Sequence, residues 1–209
     1  VAHAAGYSVL VSQSNERWEE EKNIVKTMLA KKIDGLAISL ASETTDYKHF
    51  DAVISRGVPV VFFDRVPLDK RSSCVRIDNR TAAYNAVMHL IKQGCTRIVH
   101  LSGPQAISVY KDRQDGYVQA LMDSDIRVDS SLIFENSITL ATGEEAGKKI
   151  LAMPVLPDAI FSAGDYSAMG VMHVLKKNGV KVPEDIAIVG FANEPFDSFV
   201  EPPLSSVDQ

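Results

Sequence analysis

The sequence predicts an α/β protein in which parallel sheets are covered by helices on both faces. Two observations indicate this fold class. Short segments rich in Val, Ile and Phe alternate regularly with segments of helical periodicity, and the short segments are continuously apolar instead of alternating with polar residues. Continuous apolar strands are typical of parallel sheets that are buried on both sides. With 209 residues, 45% of them apolar, the chain is long enough for one large domain or two smaller ones.

The first half of the chain contains one helix with a clear signature, predicted over 16–32. Its apolar residues recur at helical spacing, its acids come early and its lysines come late, which suits the helix dipole. Segment 1–7 is predicted to be the last turn of a helix that stops at Gly6. The other elements predicted here are strands over 7–12, 35–39 and 59–63, a short strand near 74–77, and helices over 47–56 and 81–93.

The second half repeats the alternation of strand and helix. Thr142 and Glu145 have the spacing of a capping box and predict a helix start there. Asn178 and Gly179 end the next helix. The predicted elements are strands over 97–101, 132–136, 159–163, 186–191 and 204–209, and helices over 113–122, from 142 onward, and over 166–177.

Each apolar strand is followed by small or polar residues. Such turns include Leu40-Ala41-Ser42, Asp64-Arg65, Ser102-Gly103-Pro104, Gly164-Asp165 and Ala192-Asn193-Glu194. Loops are generally polar, which accounts for part of this pattern. In open parallel sheets, however, ligands bind outside the carboxyl ends of the strands. The recurrence of short polar turns at that position therefore indicates a binding site there.

Composition and charge exclude several classes of protein. The net charge of −5 and pI of about 5.5 argue against binding of a nucleic-acid backbone by this chain alone. No apolar run is long enough for a membrane span, and no signal-peptide pattern opens the chain. Cys74 and Cys95 form no CxxC pair, so free thiols in a reducing, cytoplasmic compartment are expected.

No enzyme motif is present, and we therefore expect a protein that is not an enzyme and needs no cofactor or metal. The sequence lacks GxGxxG, GxSxG and HExxH, and its five histidines have no ligand spacing. Segment 143–149, GEEAGKK, superficially resembles a phosphate loop but is one residue short and lies within a helical pattern. An acid–base pair among Asp64, Asp78 and Asp165 is supported by polarity alone.

Six segments follow one another in the order and spacing typical of one family. They are GVPVVFFDR (57–65), VRIDN (75–79), HLIKQGCTRIVHLSGP (89–104), RQDGY (113–117), the stretch 157–195 and PPLSSVDQ (202–209). The ordered set resembles the effector-binding part of LacI/GalR-family transcriptional regulators and covers essentially the whole chain.

The resemblance implies a periplasmic-binding-protein-like fold of type I: two similar subdomains with a small molecule in the cleft between them. Residues 1–76 would form the N-terminal subdomain, 77–207 the C-terminal one, and 208–209 the start of a crossover back. The family pattern also implies a DNA-binding helix-turn-helix and a first strand before Val1, so the chain is expected to be part of a longer protein. An N-terminal subdomain without its first strand is expected to be unstable alone.

The resemblance further implies a homodimer with helix 16–32 at or near its interface, and no membrane partner. The expected effector is a sugar or sugar derivative, with a nucleobase also possible. A periplasmic sugar-binding protein of a transporter shares the fold and is the alternative function. An α/β enzyme of another type ranks behind both.

Six residues are candidates for contact with the ligand. The Asp64 carboxylate can accept hydrogen bonds from vicinal hydroxyls, and the family uses this position for ligand contact. Arg113 matches the arginine of the family's R-x-x-G-aromatic segment, and its guanidinium can bind two oxygens at once. Placed at a predicted helix start, it would oppose the helix dipole, so another interaction should favour it. The remaining candidates are Asn193, Asp165, Phe191 and Tyr110.

Four of these candidates depart from the family pattern or have a second interpretation. Asn193 follows Ala192, where the family often has a ligand-binding aspartate, and its amide would take over that contact. Asp165 is better interpreted as a helix N-cap than as a ligand contact. Phe191 and Tyr110, like Phe63 and Tyr166, offer an aromatic face for stacking, although an aromatic beside a strand is more often part of the core.

Overall fold

The computed structural model of the protein describes residues 1–67, 73–135 and 137–209. These residues form two compact units, which we call the N-terminal unit (Val1–Arg76) and the C-terminal unit (Ile77–Gln209). Each unit contains one parallel sheet with helices packed on it. The fold class predicted from the sequence is confirmed.

The N-terminal unit has a three-stranded sheet in the order β1-β2-β3, in which all strands are parallel. Its core forms where apolar residues of the helices meet alternate residues of the strands, with Val25, Phe50 and Val53 against Ile38 and Phe62. The elements of this unit are a 3-10 helix (His3–Ala5), α1 (Trp18–Ala30), β1 (Leu36–Ile38), a 3-10 helix (Lys48–Phe50), α2 (Asp51–Ser55), β2 (Val60–Phe63) and β3 (Ser73–Val75).

The predicted strand over 7–12 is wrong in this structure. The segment is extended but has no strand partner among the described residues, and Tyr7, Val9, Leu10 and Val11 are exposed. A strand is defined by its ladder of hydrogen bonds to a neighbour, which a local apolar pattern cannot supply. The predicted turn at Gly6 is confirmed, since this residue is left-handed with φ of 81°.

The C-terminal unit has a five-stranded parallel sheet in the order β5-β4-β6-β7-β8. Its elements are α3 (Asn79–Lys92), β4 (Ile98–Leu101), α4 (Ser108–Asp123), a 3-10 helix (Ser130–Leu132), β5 (Ile133–Phe134), α5 (Leu140–Leu151), β6 (Ala159–Ser162), α6 (Asp165–Lys177), β7 (Ala187–Ala192), a 3-10 helix (Pro195–Ser198) and β8 (Ser205–Asp208).

The central strands of this sheet are buried on both faces. Ile98 of β4 and Phe161 of β6 face a core made with α3 and α4, whereas Val99 and Ile160 face a core made with α5 and α6. All four residues of β4 and of β6 are buried. This two-sided burial explains why these strands are continuously apolar in the sequence.

Three predicted boundaries in the C-terminal unit are wrong. Helix α4 begins at Ser108, not at 113, so Arg113 lies in its interior and does not oppose the dipole at a helix start. The capping box is formed by Thr139 and Thr142, which exchange hydrogen bonds of 2.9 and 3.2 Å, and not by Thr142 and Glu145. Strand β5 is shorter than predicted, and residue 136 of the predicted strand lies outside the described residues.

The order of strands places a topological switch point between β4 and β6. The chain leaves β4 toward β5 on one side and returns to β6 on the other. Ligands of open α/β sheets bind outside the carboxyl ends of the strands at such a point. Of the helices in the described part of the chain, none has the length and apolarity that a membrane crossing requires.

Candidate functional site

Arg113 is held in a cradle of polar groups at the carboxyl edge of the C-terminal sheet. Its side chain is largely buried, with 5% of the residue's surface exposed. Nε donates to Asn79 Oδ1 at 2.9 Å, and the two terminal nitrogens donate to the carbonyl oxygen of Ala163 at 2.7 Å and to Gln209 Oε1 at 3.1 Å. The guanidinium lies 3.6 Å from the centre of the Phe191 ring. These contacts fix the fork of donors in one orientation.

Two aromatic residues of the predicted site lie beside Arg113. Phe191 is fully buried under the guanidinium, and the half-buried Tyr110 ring is centred 5.9 Å from it. A side chain at Gly103 would meet the Tyr110 ring at 2.3 Å, so the turn after β4 depends on glycine to pack this closely. The structure therefore brings the candidates Arg113, Phe191 and Tyr110 together at this edge of the sheet.

The turn after β7 has an unusual backbone. Ala192 and Asn193 have φ of 137° and 56°, in the region that non-glycine residues rarely adopt. Ser206 of β8 accepts a hydrogen bond from the Asn193 backbone N–H at 3.0 Å, and the exposed Asn193 side chain donates to Asp208 Oδ1 at 3.1 Å. Strained backbone of this kind persists only when surrounding contacts hold it, and it clusters at functional sites.

Asp165 is not the N-cap that the sequence predicts. It is the first residue of α6, Gly164 occupies the N-cap position, and no side chain caps the helix. The carboxylate points instead to the turn after β7, where it accepts hydrogen bonds from Ser206 Oγ at 2.8 Å and from the Glu194 backbone N–H at 3.1 Å. The sequence could not reveal this because the donors lie 29 and 41 residues away.

Asp197 is a second buried acid next to Asp165. Only 3% of its surface is exposed, and neither of its carboxyl oxygens has a hydrogen-bond donor among the described residues. Burial and the neighbouring charges of Asp165 and Glu194 raise the pKa of Asp197 to about 7. Asp197 was not among the residues that the sequence predicts for the site.

His100 lies in the core behind Arg113. Its ring stacks between Tyr117 and Phe161, at centroid distances of 4.9 and 5.0 Å, and Nδ1 is 3.1 Å from the Phe161 carbonyl oxygen. Burial lowers the pKa of His100 to about 4, with a further contribution from the charge of Arg113. His100 is therefore neutral at physiological pH.

In the N-terminal unit, Asp64 lies directly after β2 and has a left-handed backbone, with φ of 55°. Its carboxylate is 3.4 Å from the Ser39 hydroxyl, which follows the neighbouring strand β1, and 3.9 Å from Arg65 Nε. Arg65 also pairs with Glu16, whose carboxylate accepts a hydrogen bond from the Ser42 backbone N–H at 2.8 Å. The pair with Arg65 holds the pKa of Glu16 below its usual range.

The two edges differ in chemistry. The C-terminal edge offers a fixed guanidinium, an amide side chain and aromatic rings, whereas the N-terminal edge offers a carboxylate and a hydroxyl. Hydroxyl groups of a ligand can donate to the carboxylate and accept from the guanidinium. Among the described residues, no group of three or more His, Cys, Asp or Glu side chains could hold a metal ion.

Sequence reasoning found the central residues of the C-terminal edge and missed those that hold them. Asn79, Gln209 and Ser206 were given no role, although all three lie in the family-like segments 75–79 and 202–209. For these three residues, membership of the segments was the only available signal. Ser39 lies outside the segments and was missed because its partner Asp64 is 25 residues further along the chain.

Comparison with known proteins assigns the chain to one family and finds transcriptional regulators among its relatives. The model of the family described as periplasmic binding proteins and sugar binding domain of LacI family matches residues 1–209. The HTH-type transcriptional repressor CytR of Escherichia coli K12 is 35% identical over 207 residues, which cover 98% of this chain and 59% of the repressor. The chain thus spans less than two thirds of this relative.

Two solved structures resemble the whole chain. The transcription regulator CcpA of Lactococcus lactis superposes with a TM-score of 0.87 at 28% identity, covering 100% of this chain and 75% of that one. A LacI family transcriptional regulator from Lactobacillus casei with bound sucrose has a TM-score of 0.84 at 26% identity, covering 99% and 76%. The resemblance noted in the sequence is confirmed.

Proposed function

Since this chain belongs to the LacI family, we propose that it is the effector-binding part of a bacterial transcriptional regulator. The observation that carries this proposal is the match of the family model to the whole chain. The position of Arg113 supports it, because hydrogen bonds orient its guanidinium at the carboxyl edge of the sheet. In this proposal a small molecule binds between the two units and shifts the balance between two arrangements of the protein. DNA binding belongs to a helix-turn-helix outside this chain, and this part catalyses no reaction.

The proposed effector is a sugar or sugar derivative. Arg113 and Asn193 bind its oxygens from the C-terminal unit, Asp64 accepts from its hydroxyls in the N-terminal unit, and Tyr110 and Phe191 provide the apolar wall. Asp165 supports the turn that carries Asn193 and does not itself touch the ligand. Bound sucrose in the Lactobacillus casei regulator supports this ligand class.

The proposal also includes the oligomeric state and the location of the full-length protein, with a transporter protein as the alternative. The full-length protein acts as a homodimer in the cytoplasm, because paired headpieces must match the spacing of two half-sites in the operator. A periplasmic sugar-binding protein of a transporter belongs to the same family of folds. The relatives described above are repressors and regulators, which favours the regulator.

A thermal-shift screen of the full-length protein against sugars, sugar phosphates and purines tests the proposal. A ligand that binds the folded state at one hundred times its Kd adds about 2.7 kcal/mol to the free energy of unfolding, which raises the melting temperature by several degrees. Arg113→Ala is expected to abolish the shift. Because Arg113 is buried, Arg113→Lys is the milder variant: it keeps the charge but loses the fork of donors, and we expect at least a tenfold weaker affinity, or about 1.4 kcal/mol.

The matched control is Arg127→Lys, since Arg127 is exposed and belongs to the same unit. This variant should leave the ligand-induced shift unchanged. A shift that survives Arg113→Lys undiminished would place the site elsewhere. If no compound of any class shifts the melting temperature, the sugar-sensing part of the proposal is contradicted, while the family assignment stands.

A further inference from the structure

Asp165 and Asp197 form a buried pair of acids that faces no cation. Their exposed fractions are 1% and 3%, and no ion pair links either of them to a basic residue among the described part of the chain. Both Asp165 oxygens accept hydrogen bonds from Ser206 and Glu194, whereas the Asp197 oxygens receive none from described donors. Two ionised carboxylates in such a place repel each other without compensation.

One further acid, Glu194, increases this repulsion, and the other charged groups of the neighbouring elements include no cation at the pair among the described residues. Glu194 precedes the 3-10 helix that carries Asp197, and its charge adds to that of Asp165. Strand β8 contributes Asp208, which accepts from Asn193, and the loop before β8 contributes the exposed Glu201. The basic residues of α6 begin at His173, eight residues or about 12 Å along the helix from Asp165.

We propose that Asp165 and Asp197 share one proton, and that the protonated pair acts as a pH-sensitive latch on the turn after β7. With the proton present, one acid donates to the other, and Asp165 remains an acceptor for Ser206 and the Glu194 N–H. Ser206 in turn accepts from the Asn193 N–H. The chain of hydrogen bonds from the pair to Asn193 therefore stabilises the strained backbone at 192–193.

Loss of the proton places two negative charges side by side and weakens this latch. The buried environment raises the pKa of Asp197 above its unfolded value, so the folded chain binds a proton that the unfolded chain releases between these values. The contribution of the pair to stability is therefore present at low pH and falls as the pH rises toward and through neutrality. This inference needs no effector and is independent of the proposed function.

Asp197→Asn in the full-length protein tests the latch. The amide keeps the shape of the side chain and supplies a permanent N–H donor to Asp165 in place of the shared proton. We expect the variant to melt roughly 5 °C above the wild-type protein at pH 8 and at the same temperature at pH 5. Glu184→Gln, which removes an exposed carboxylate of the same unit, is the control and should show no such pH-dependent difference.

Hydrogen exchange provides a local readout that a general change in stability would not produce. The ratio of wild-type to Asp197→Asn exchange rates at the Asn193 and Glu194 amides should rise from near one at pH 5 to about tenfold at pH 8. Taking the ratio cancels the intrinsic effect of pH on exchange. Amides that exchange through local opening away from the turn, such as those of the short edge strand β5, should show no change in this ratio.

The inference is overturned if Asp197→Asn changes the melting temperature equally at both pH values, or if the ratio of wild-type to variant exchange rates at 193 and 194 is the same at pH 5 and pH 8. Should the variant fail to fold, carboxyl carbon chemical shifts of the wild-type protein decide. A titration of Asp197 near neutrality supports the shared proton, and a titration near pH 4, the ordinary range of an aspartate, contradicts it.

Discussion

At the residue scale, the buried polar side chains of the C-terminal unit have distinct tasks. Arg113 is satisfied by three acceptors and a ring face, so its desolvation is compensated and its donors are oriented. His100 is buried as a neutral ring and contributes packing between Tyr117 and Phe161. A buried arginine therefore marks the candidate site, whereas a buried histidine a short distance away marks the core.

The neutral state of His100 predicts a dependence of stability on pH. Its pKa is about 4 in the folded chain and 6.5 ordinarily, so the unfolded chain binds a proton between these values and the folded chain does not. The stability that the neutral His100 contributes to the folded chain is fully present above pH 6.5 and is lost progressively as the pH falls toward 4. By pH 5 this loss should amount to about 2 kcal/mol in the free energy of unfolding.

His100→Phe keeps the stacked ring and removes the titration. Urea unfolding of both proteins at pH 5 and pH 8 should show that the variant gains about 2 kcal/mol relative to wild type at the lower pH. At pH 8 the free energies of unfolding of the two proteins should differ by about 1 kcal/mol or less. The variant loses the hydrogen bond of Nδ1, which destabilises it, and also loses the buried unsatisfied Nε2, which stabilises it. The comparison cancels the opposite effect of Asp197, which is present in both. A difference that is the same at both pH values would show that His100 does not titrate as expected.

At the element scale, the crossing of α5 and α6 depends on glycine. A side chain at Gly143 would meet the Ser167 carbonyl oxygen at 2.3 Å, and one at Gly170 would meet the Leu140 carbonyl oxygen at 2.2 Å. Both obstacles are backbone atoms, which cannot move without separating the helices. The two helices therefore pack with their backbones in contact, and α6 places Asp165 beside the turn after β7.

Gly170→Ala is expected to destabilise the C-terminal unit by about 2 kcal/mol, despite the better helix propensity of alanine. Denaturant unfolding followed by circular dichroism measures this change. Gly164→Ala is the control, since the nearest atom to a new side chain there is 4.0 Å away and its φ of −170° suits any residue. Equal stability of the Gly170 variant and wild type would mean that the helices can separate without cost.

At the scale of the whole molecule, the two units differ in the size of their cores. Among its described residues, the N-terminal unit has one cluster of buried apolar residues, built around Phe50 and Phe62. The C-terminal unit has two clusters, one on each face of its sheet, and each is larger than that of the N-terminal unit. Because buried apolar area is the main source of stability, the two units should not be equally stable.

Hydrogen exchange of this chain under native conditions should reflect the difference. We expect the amides of β4 and β6 to exchange at least about tenfold more slowly than those of β1 and β2, as measured by mass spectrometry of peptides from each unit. Within the C-terminal unit, the short edge strand β5 is the internal reference for an exposed strand. Equal protection of the two units would show that they unfold as one cooperative body.

The sequence by itself determined the fold class, the family and most of the elements. Strands β4, β6 and β7 were predictable because burial on both faces makes them continuously apolar. Helix α1 was predictable because its apolar residues have helical spacing and its acids lie in the first turn, although the lysines expected in its last turn lie beyond its end. The sequence also made Arg113 a candidate, through the family-like R-x-x-G-aromatic segment, and Phe191 and Tyr110 candidates as aromatic faces; their contact with a ligand stays a prediction. These features depend on the local composition and spacing of residues, which the sequence shows directly.

The tertiary structure alone decided how the candidate site is supported. Asp165 was predicted as a helix cap and instead accepts hydrogen bonds from Glu194 in the turn after β7 and from Ser206 in β8, which lie 29 and 41 positions away. The segment 7–12 has strand composition but no partner strand among the described residues. The acid pair of Asp165 and Asp197 exists only because α6 and the turn after β7 meet at the end of the sheet. Pairing, burial and pKa depend on neighbours that are distant along the chain, so local pattern could not predict them.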